Sequence, residues 1–171
     1  MINWPGEEGH VDYGEGVFVG YRYYDTYDKA VDYPVRLRPE LRHLRSVRRE
    51  GRQDRRQHRF RKRGREEHLR RCAAETVQVY VAPGKSAVAR PIHELKGFRK
   101  VLLKAGESAE VSFDLDERAF AYWSEKFDDW HVESGEYAIE VGTSSRDIAG
   151  TGVVELDGDG KAEPLTEWST F

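Results

Sequence analysis

The sequence predicts a mainly β fold, an antiparallel sandwich, preceded by a glycine- and tyrosine-rich segment and interrupted by a stretch of different character. Three observations predict it. Short apolar runs recur at roughly 8–14-residue spacing in the second half of the 171-residue chain, several of them alternate with period two, and glycine-containing turns separate them without a helical period.

The elements follow in chain order. In the first segment, 1–34, Val17 and Val19 alternate with Phe18 and Gly20, which suits a short extended stretch bounded by glycines rather than a helix. Trp4, Tyr21, Tyr23 and Tyr24 are too large to leave in water and are expected to lie against something outside this chain. Further along, Thr76–Ala82 alternates and stops at Pro83-Gly84, and Glu94–Leu103 supplies Leu95, Phe98, Val101 and Leu103 before Ala105-Gly106. Ala109–Leu115 alternates again, Phe120, Tyr122 and Trp123 form an aromatic cluster, and Trp130–Val132 is a short piece. Ser134-Gly135 turns into Glu136–Val141, and Val153–Leu156 is the last strand before Asp157-Gly158-Asp159-Gly160. Phe98, Val111, Phe113, Tyr122, Trp130, Tyr137, Ile139 and Val141 are the expected core.

The stretch Val35–Cys72 fits neither neighbour. It holds 15 of the 20 arginines, and its 16 Lys and Arg against 5 acids make it about +11, while the other 133 residues carry about −14. Only one of the 20 aromatics, Phe60, lies there, so it lacks core-forming groups. Leu37, Leu41 and Leu44 make one weak helical stripe. The stretch is expected to be disordered or helical.

Composition excludes several classes. No apolar run approaches the ~18 residues of a membrane span, and no secretory signal opens the chain. Cys72 is alone, so no internal disulfide or cysteine-based zinc site forms. No phosphate-loop, dinucleotide or nucleophile-elbow motif is present. No cofactor and no metal site is expected. His43, His58 and His68 are spaced 15 and 10 apart, unlike metal ligands, and His10, His93 and His131 stand isolated. Asp157–Gly160 lacks the further ligands of a calcium loop and reads as a hairpin-type turn. Asp128 and Asp129 beside Trp130 and His131 are the most suggestive sugar-binding group, set against a polar turn entering a strand whose tryptophan fills the core. Ser144–Asp147 reads as a strand-end turn with an Arg–Asp contact rather than a nucleophile.

Five motifs together resemble one family. Tyr13–Asp25 (YGEGVFVGYRYYD), Glu75–Val81 (ETVQVYV), Arg90–Val101 (RPIHELKGFRKV), Phe120–Trp123 (FAYW) and Gly135–Ile148 (GEYAIEVGTSSRDI) are similar, in order and near the expected spacing, to the carboxyl-terminal end of glycoside hydrolase family 3, the β-glucosidase family. The resemblance implies that 1–34 closes an α/β catalytic-region domain and its linker, and that 74–171 is a fibronectin type III-like, immunoglobulin-like sandwich. Residues 35–73 then stand where the family has a glycine- and aromatic-rich stretch and the first two strands.

One base shift restores that stretch. Codons chosen for Pro34–Ser46, read from the second base of the Val35 codon, give FGYGLSYATFE, the family's pattern, and the same shift on Arg56–Lys62 permits an alternating strand. The expectation is that 35–73 is out of frame and that the sandwich, lacking two strands, exposes part of its inner face and a sheet edge.

The family's catalytic carboxylate pair is implied to lie upstream of residue 1, so no catalytic residue, no known substrate-binding residue and no glycosidase activity are expected in the chain itself. Its implied partners are the remaining barrel and α/β domains of the hydrolase, and carbohydrate is met only through the intact enzyme. An independent carbohydrate-binding or adhesion module is one alternative. Nucleic-acid binding through Arg36–Arg71 is another, expected to be adventitious because stacking aromatics are missing. No membrane contact is expected. Localisation stays open, cytoplasmic by default.

Overall fold

The computed structural model describes residues 8–11, 13–34, 47–49, 58–63, 73–104 and 109–161. Within them lie one short α-helix, α1 (Tyr21–Thr26), one turn of 3-10 helix (Glu117–Ala119) and nine strands. The strands are β1 (Val47–Arg49), β2 (His58–Arg63), β3 (Ala73–Pro83), β4 (Glu94–Leu103), β5 (Glu110–Leu115), β6 (Tyr122–Ser124), β7 (Asp129–His131), β8 (Gly135–Gly142) and β9 (Ile148–Leu156). They form a four-stranded sheet in the order β4-β3-β8-β9, a three-stranded sheet β1-β2-β5 and a two-stranded ribbon β6-β7, all antiparallel.

The two larger sheets enclose the core. Alternation sends Val77, Val79 and Val81 of β3 and Tyr137, Ile139 and Val141 of β8 to one face, where Val111 and Leu115 of β5 meet them. Phe120 closes the end, its ring edge-on to Tyr137 at 5.4 Å. Each fully buried valine or isoleucine contributes about 1.5–3 kcal/mol of transfer free energy.

Two expected core residues are not there. Phe98 is 59 % exposed, because β4 turns the neighbouring Gly97 inward. A Cβ on Gly97 would lie 3.1 Å from Val79 Cγ1 and 3.2 Å from the Phe113 ring, so the sheets meet at this glycine and the next side chain faces out. Trp130 is 39 % exposed because β7 buries its neighbour His131 instead. Val111, Tyr137, Ile139 and Val141 are buried, Phe113 packs against the core from a partly buried position, and Tyr122 is half-buried.

The arginine-rich stretch differs from its expectation as well. Val47–Arg49 and His58–Arg63 are strands, neither disordered nor helical, and β2 pairs along the whole of β5, from His58 opposite Leu115 to Arg63 opposite Glu110. The open edge of β5 supplies the physical reason: its backbone donors and acceptors are satisfied by any strand of adequate length, whatever side chains that strand carries. Of the exposed sheet edge expected from the loss of two strands, the edge of β5 is covered by β2. Leu37, Leu41 and Leu44 lie outside the described residues.

β3 is buried on both faces. Gln78 and Tyr80 point away from the core yet are fully buried, because the amino-terminal strap, residues 13–34, covers that side of the four-stranded sheet. The strap has no extended strand at 17–20. Instead it turns at Gly20, whose φ of 60° suits glycine, into α1, which ends at Thr26 and is followed past its cap by Asp28 with φ of 47°.

Candidate functional site

The strap meets the sheet through a clasp of charged and aromatic groups. At its centre Arg146, in the turn after β8, donates from Nε to Asp25 Oδ1 at 2.6 Å and from one terminal nitrogen to the carbonyls of Tyr24 (3.1 Å) and Lys29 (2.7 Å). One planar guanidinium thus gathers the last turn of α1 and the chain just beyond it. The turn that presents Arg146 is built by Thr143 and Ser144. Thr143 Oγ1 donates to Asp147, and Ser144 Oγ accepts the backbone N–H of Asp147 at 2.9 Å. The strand-end turn expected here is present, but its arginine contacts Asp25, 121 residues away, rather than Asp147.

Asp25 also faces His93 Nε2 at 3.4 Å, and His93 Nδ1 lies 2.8 Å from Glu140 Oε2. Burial opposes ionisation of Asp25, but hydrogen bonds led by that of Arg146 outweigh it and hold the carboxyl below its usual range. Tyr21 packs on Tyr80 (6.1 Å, edge-on) and on His93, and its hydroxyl accepts the Leu95 N–H at 2.8 Å. This aromatic expected to need an external partner is therefore packed within the chain. Tyr23 and Tyr24 remain exposed, and Trp4 lies outside the described residues.

Glu94 forms the second centre of the clasp. Arg22 of the strap (3.2 Å), Arg90 (3.3 Å) and Lys96 (3.1 Å) all reach it. Its burial is opposed by these cations, Lys96 foremost, and the carboxyl is held below its usual range. Burial in turn lowers the Lys96 amine.

The aspartates and aromatics singled out from sequence form a separate surface on the β6-β7 ribbon. Trp123 stands directly across from Trp130, their rings 5.7 Å apart and nearly perpendicular. Arg118 lies 3.8 Å from the centre of the Trp130 ring. Asp128 takes a positive φ of 48° at the turn, and Asp129 accepts Lys161 at 3.1 Å. Beneath them His131 is fully buried, its Nδ1 2.8 Å from Asp159 Oδ2 and its ring against Tyr122 and Phe127. Asp157–Gly160 folds back beside the end of β7, with the Asp159 N–H donating to the Val132 carbonyl at 3.0 Å; the residues that would return from a hairpin here lie outside the described ones.

Chemically these groups bind and orient. The carboxyls of Asp25, Glu94, Asp129 and Asp159 are all displaced downward, the opposite of what a general acid needs. Among the described residues no group of three or more His, Cys, Asp or Glu is placed to hold a metal ion. The clasp escaped the sequence reading because its partners are brought together only by tertiary structure. The motifs Tyr13–Asp25, Arg90–Val101 and Gly135–Ile148 that carried the resemblance nevertheless contain Tyr21, Asp25, His93, Glu94, Glu140 and Arg146.

A two-sheet sandwich with a strap laid over one sheet is a fibronectin type III-like unit, and residues 75–145 match the fibronectin type III-like domain family. The chain is 64 % identical, over its whole length and 23 % of the relative's, to an exo-α-(1→6)-L-arabinopyranosidase of Bifidobacterium breve. To the thermostable β-glucosidase B of Acetivibrio thermocellus it is 44 % identical over 86 % of this chain and 20 % of the other. Among solved structures, the GH3 β-glucosidase of Bifidobacterium adolescentis superposes with a TM-score of 0.84 at 68 % identity, covering 99 % of this chain and 25 % of that one. The resemblance to glycoside hydrolase family 3 is thereby borne out: the chain carries a fibronectin type III-like domain and is similar to the carboxyl-terminal region of members of that family. It spans about a quarter of the length of the relatives it matches.

Proposed function

We propose that the chain is the carboxyl-terminal accessory part of a β-glucosidase-like glycoside hydrolase. Residues 1–34 end the α/β domain and its linker, 35–73 are an out-of-frame segment, and 74–171 are the fibronectin type III-like domain. The observation that carries this reading is that strap and sandwich match together, as one block, a quarter of much longer hydrolases. The clasp supports it. A sandwich whose charged turn grips the preceding segment at Asp25, Tyr24 and Lys29 is built to fix that segment's direction relative to itself. The exposed Tyr13, Tyr23, Tyr24, Tyr27 and Tyr33 then face outward, amphipathic rings suited to the surface of the remaining domains.

In this reading the chain holds no catalytic residue. Cleavage of O-glycosidic bonds belongs to the barrel and α/β domains, and carbohydrate is met through the intact enzyme. The decisive experiment mixes the purified chain with the upstream three-quarters of the Bifidobacterium breve relative and follows hydrolysis of nitrophenyl glycosides. The chain alone is expected to release no nitrophenol and the mixture to exceed the upstream part alone. Hydrolysis by the chain alone would overturn the reading. Resequencing the gene tests the frame: a single-base change near each of the Pro34 and Ala73 codons is expected, and a gene with no shifted bases there would remove that part of the proposal.

A further inference from the structure

The two ring nitrogens of buried His93 face two carboxylates from different parts of the chain: Glu140 on β8, 2.8 Å from Nδ1, and Asp25 on α1, 3.4 Å from Nε2. Tyr80 of β3 and Tyr21 of α1 flank the ring at 4.8 and 6.2 Å. Arg146, from the turn after β8, occupies the other oxygen of Asp25. A neutral imidazole owns one N–H and one lone pair, so it can donate to one of these carboxylates and must aim a lone pair at the other. Only the imidazolium donates to both.

We infer that His93 is a proton-operated latch between strap and sandwich. With the ring doubly protonated, α1 is tied to β8 through Asp25, His93 and Glu140 in series. Loss of one proton turns one of the two contacts from attraction to repulsion and loosens the strap, while Arg146 keeps hold of Asp25 at any ordinary pH. Imidazole changes charge between about pH 5 and 8, and the carboxylates must be ionised, so docking is tightest on the mildly acidic side. The inference rests on the fold and stands apart from the enzymatic reading above.

Two backbone amides report the docked strap directly: Leu95 N–H donates to the Tyr21 hydroxyl at 2.8 Å and Ile92 N–H to Thr26 Oγ1 at 3.1 Å. The test is hydrogen exchange of the full chain, as protection factors, between pH 5.5 and 8.5. Protection at Ile92 and Leu95 is expected to fall about tenfold, the scale of one charge-assisted hydrogen bond, while the amides of the β3-β8 ladder keep theirs. In His93→Gln the fall disappears. In Glu140→Gln it disappears too, since the amide can donate to the lone pair that the neutral ring presents. Constant protection in the unmodified chain, a fall shared by the ladder, or a fall surviving in both variants would each overturn the latch.

Discussion

Two buried histidines organise two regions of this molecule in different ways. Under the strap, His93 stands between Asp25 and Glu140; beneath the ribbon, His131 faces Asp159 alone and is otherwise ringed by Tyr122 and Phe127. One ring nitrogen of His131 has an acceptor facing it, whereas both ring nitrogens of His93 do. The strap is gathered mainly by charged groups and the ribbon mainly by rings. The same contrast runs through their surroundings: Arg146 and Glu94 gather several partners each, while the ribbon offers two crossed indoles and a stacked arginine.

The largest expected effect is on the strap side. Arg146→Ala leaves the carboxylate of Asp25, only 5 % exposed, without its guanidinium, and should cost about 3 kcal/mol in urea unfolding. Arg146→Lys should recover part of this, since a point charge replaces the fork. If Arg146→Ala costs less than substitutions on the ribbon, the contrast between the regions fails.

Acid should come next in size. Asp25, Glu94 and Asp159 are held below the ordinary carboxylate range, each against its burial, chiefly by Arg146, Lys96 and His131 respectively. A carboxyl depressed by folding contributes stability that is complete above its unfolded value, about 4, and is lost as pH falls through the lower folded value. Unfolding free energy should accordingly decline below about pH 4. Asp25→Asn should flatten that decline more than Asp159→Asn, because the strap carries the denser charge network.

Smaller again is His131→Phe, which keeps the ring packing and forfeits one hydrogen bond, at about 1 kcal/mol. The smallest is Trp130→Ala, expected below about 1 kcal/mol, the scale of an exposed cation–π contact, because the indole is half in water. Thermal unfolding of both variants checks this order, and a reversal would mean that the ribbon is itself part of the core.

How much of this was legible in the sequence follows from where each feature stores its information. The strand Glu94–Leu103 has the predicted bounds, and β3, β5 and β8 fall where alternation placed them, because local periodicity encodes a half-buried strand. Parity in a three-residue strand is different. Trp130 and His131 compete for the inward side, and the winner is set by Asp159, which lies 28 residues away. Gly97 shows the same thing from the other side: only the sheet opposite, through Phe113, reveals that glycine rather than Phe98 points inward. The clasp was invisible for a related reason. Asp25, His93, Glu140 and Arg146 are each unremarkable polar residues in sequence and become a site only when β3 and β8 lie side by side beneath α1. The two strands in the arginine-rich stretch were missed because composition describes side chains, whereas pairing with β5 is a property of backbone.

The joining of Asp25 to Arg146 also fixes an order of events. Asp25 finds its anchor on a turn made more than a hundred residues later, and that turn is framed only once β8 has paired with β3 on one side and β9 on the other. Closing so long a loop is entropically slow and is rewarded only after the sheet exists. The strap precedes the sheet in the chain and docks after it, so until the sheet is complete the outer face of β3, with Gln78 and Tyr80, waits uncovered.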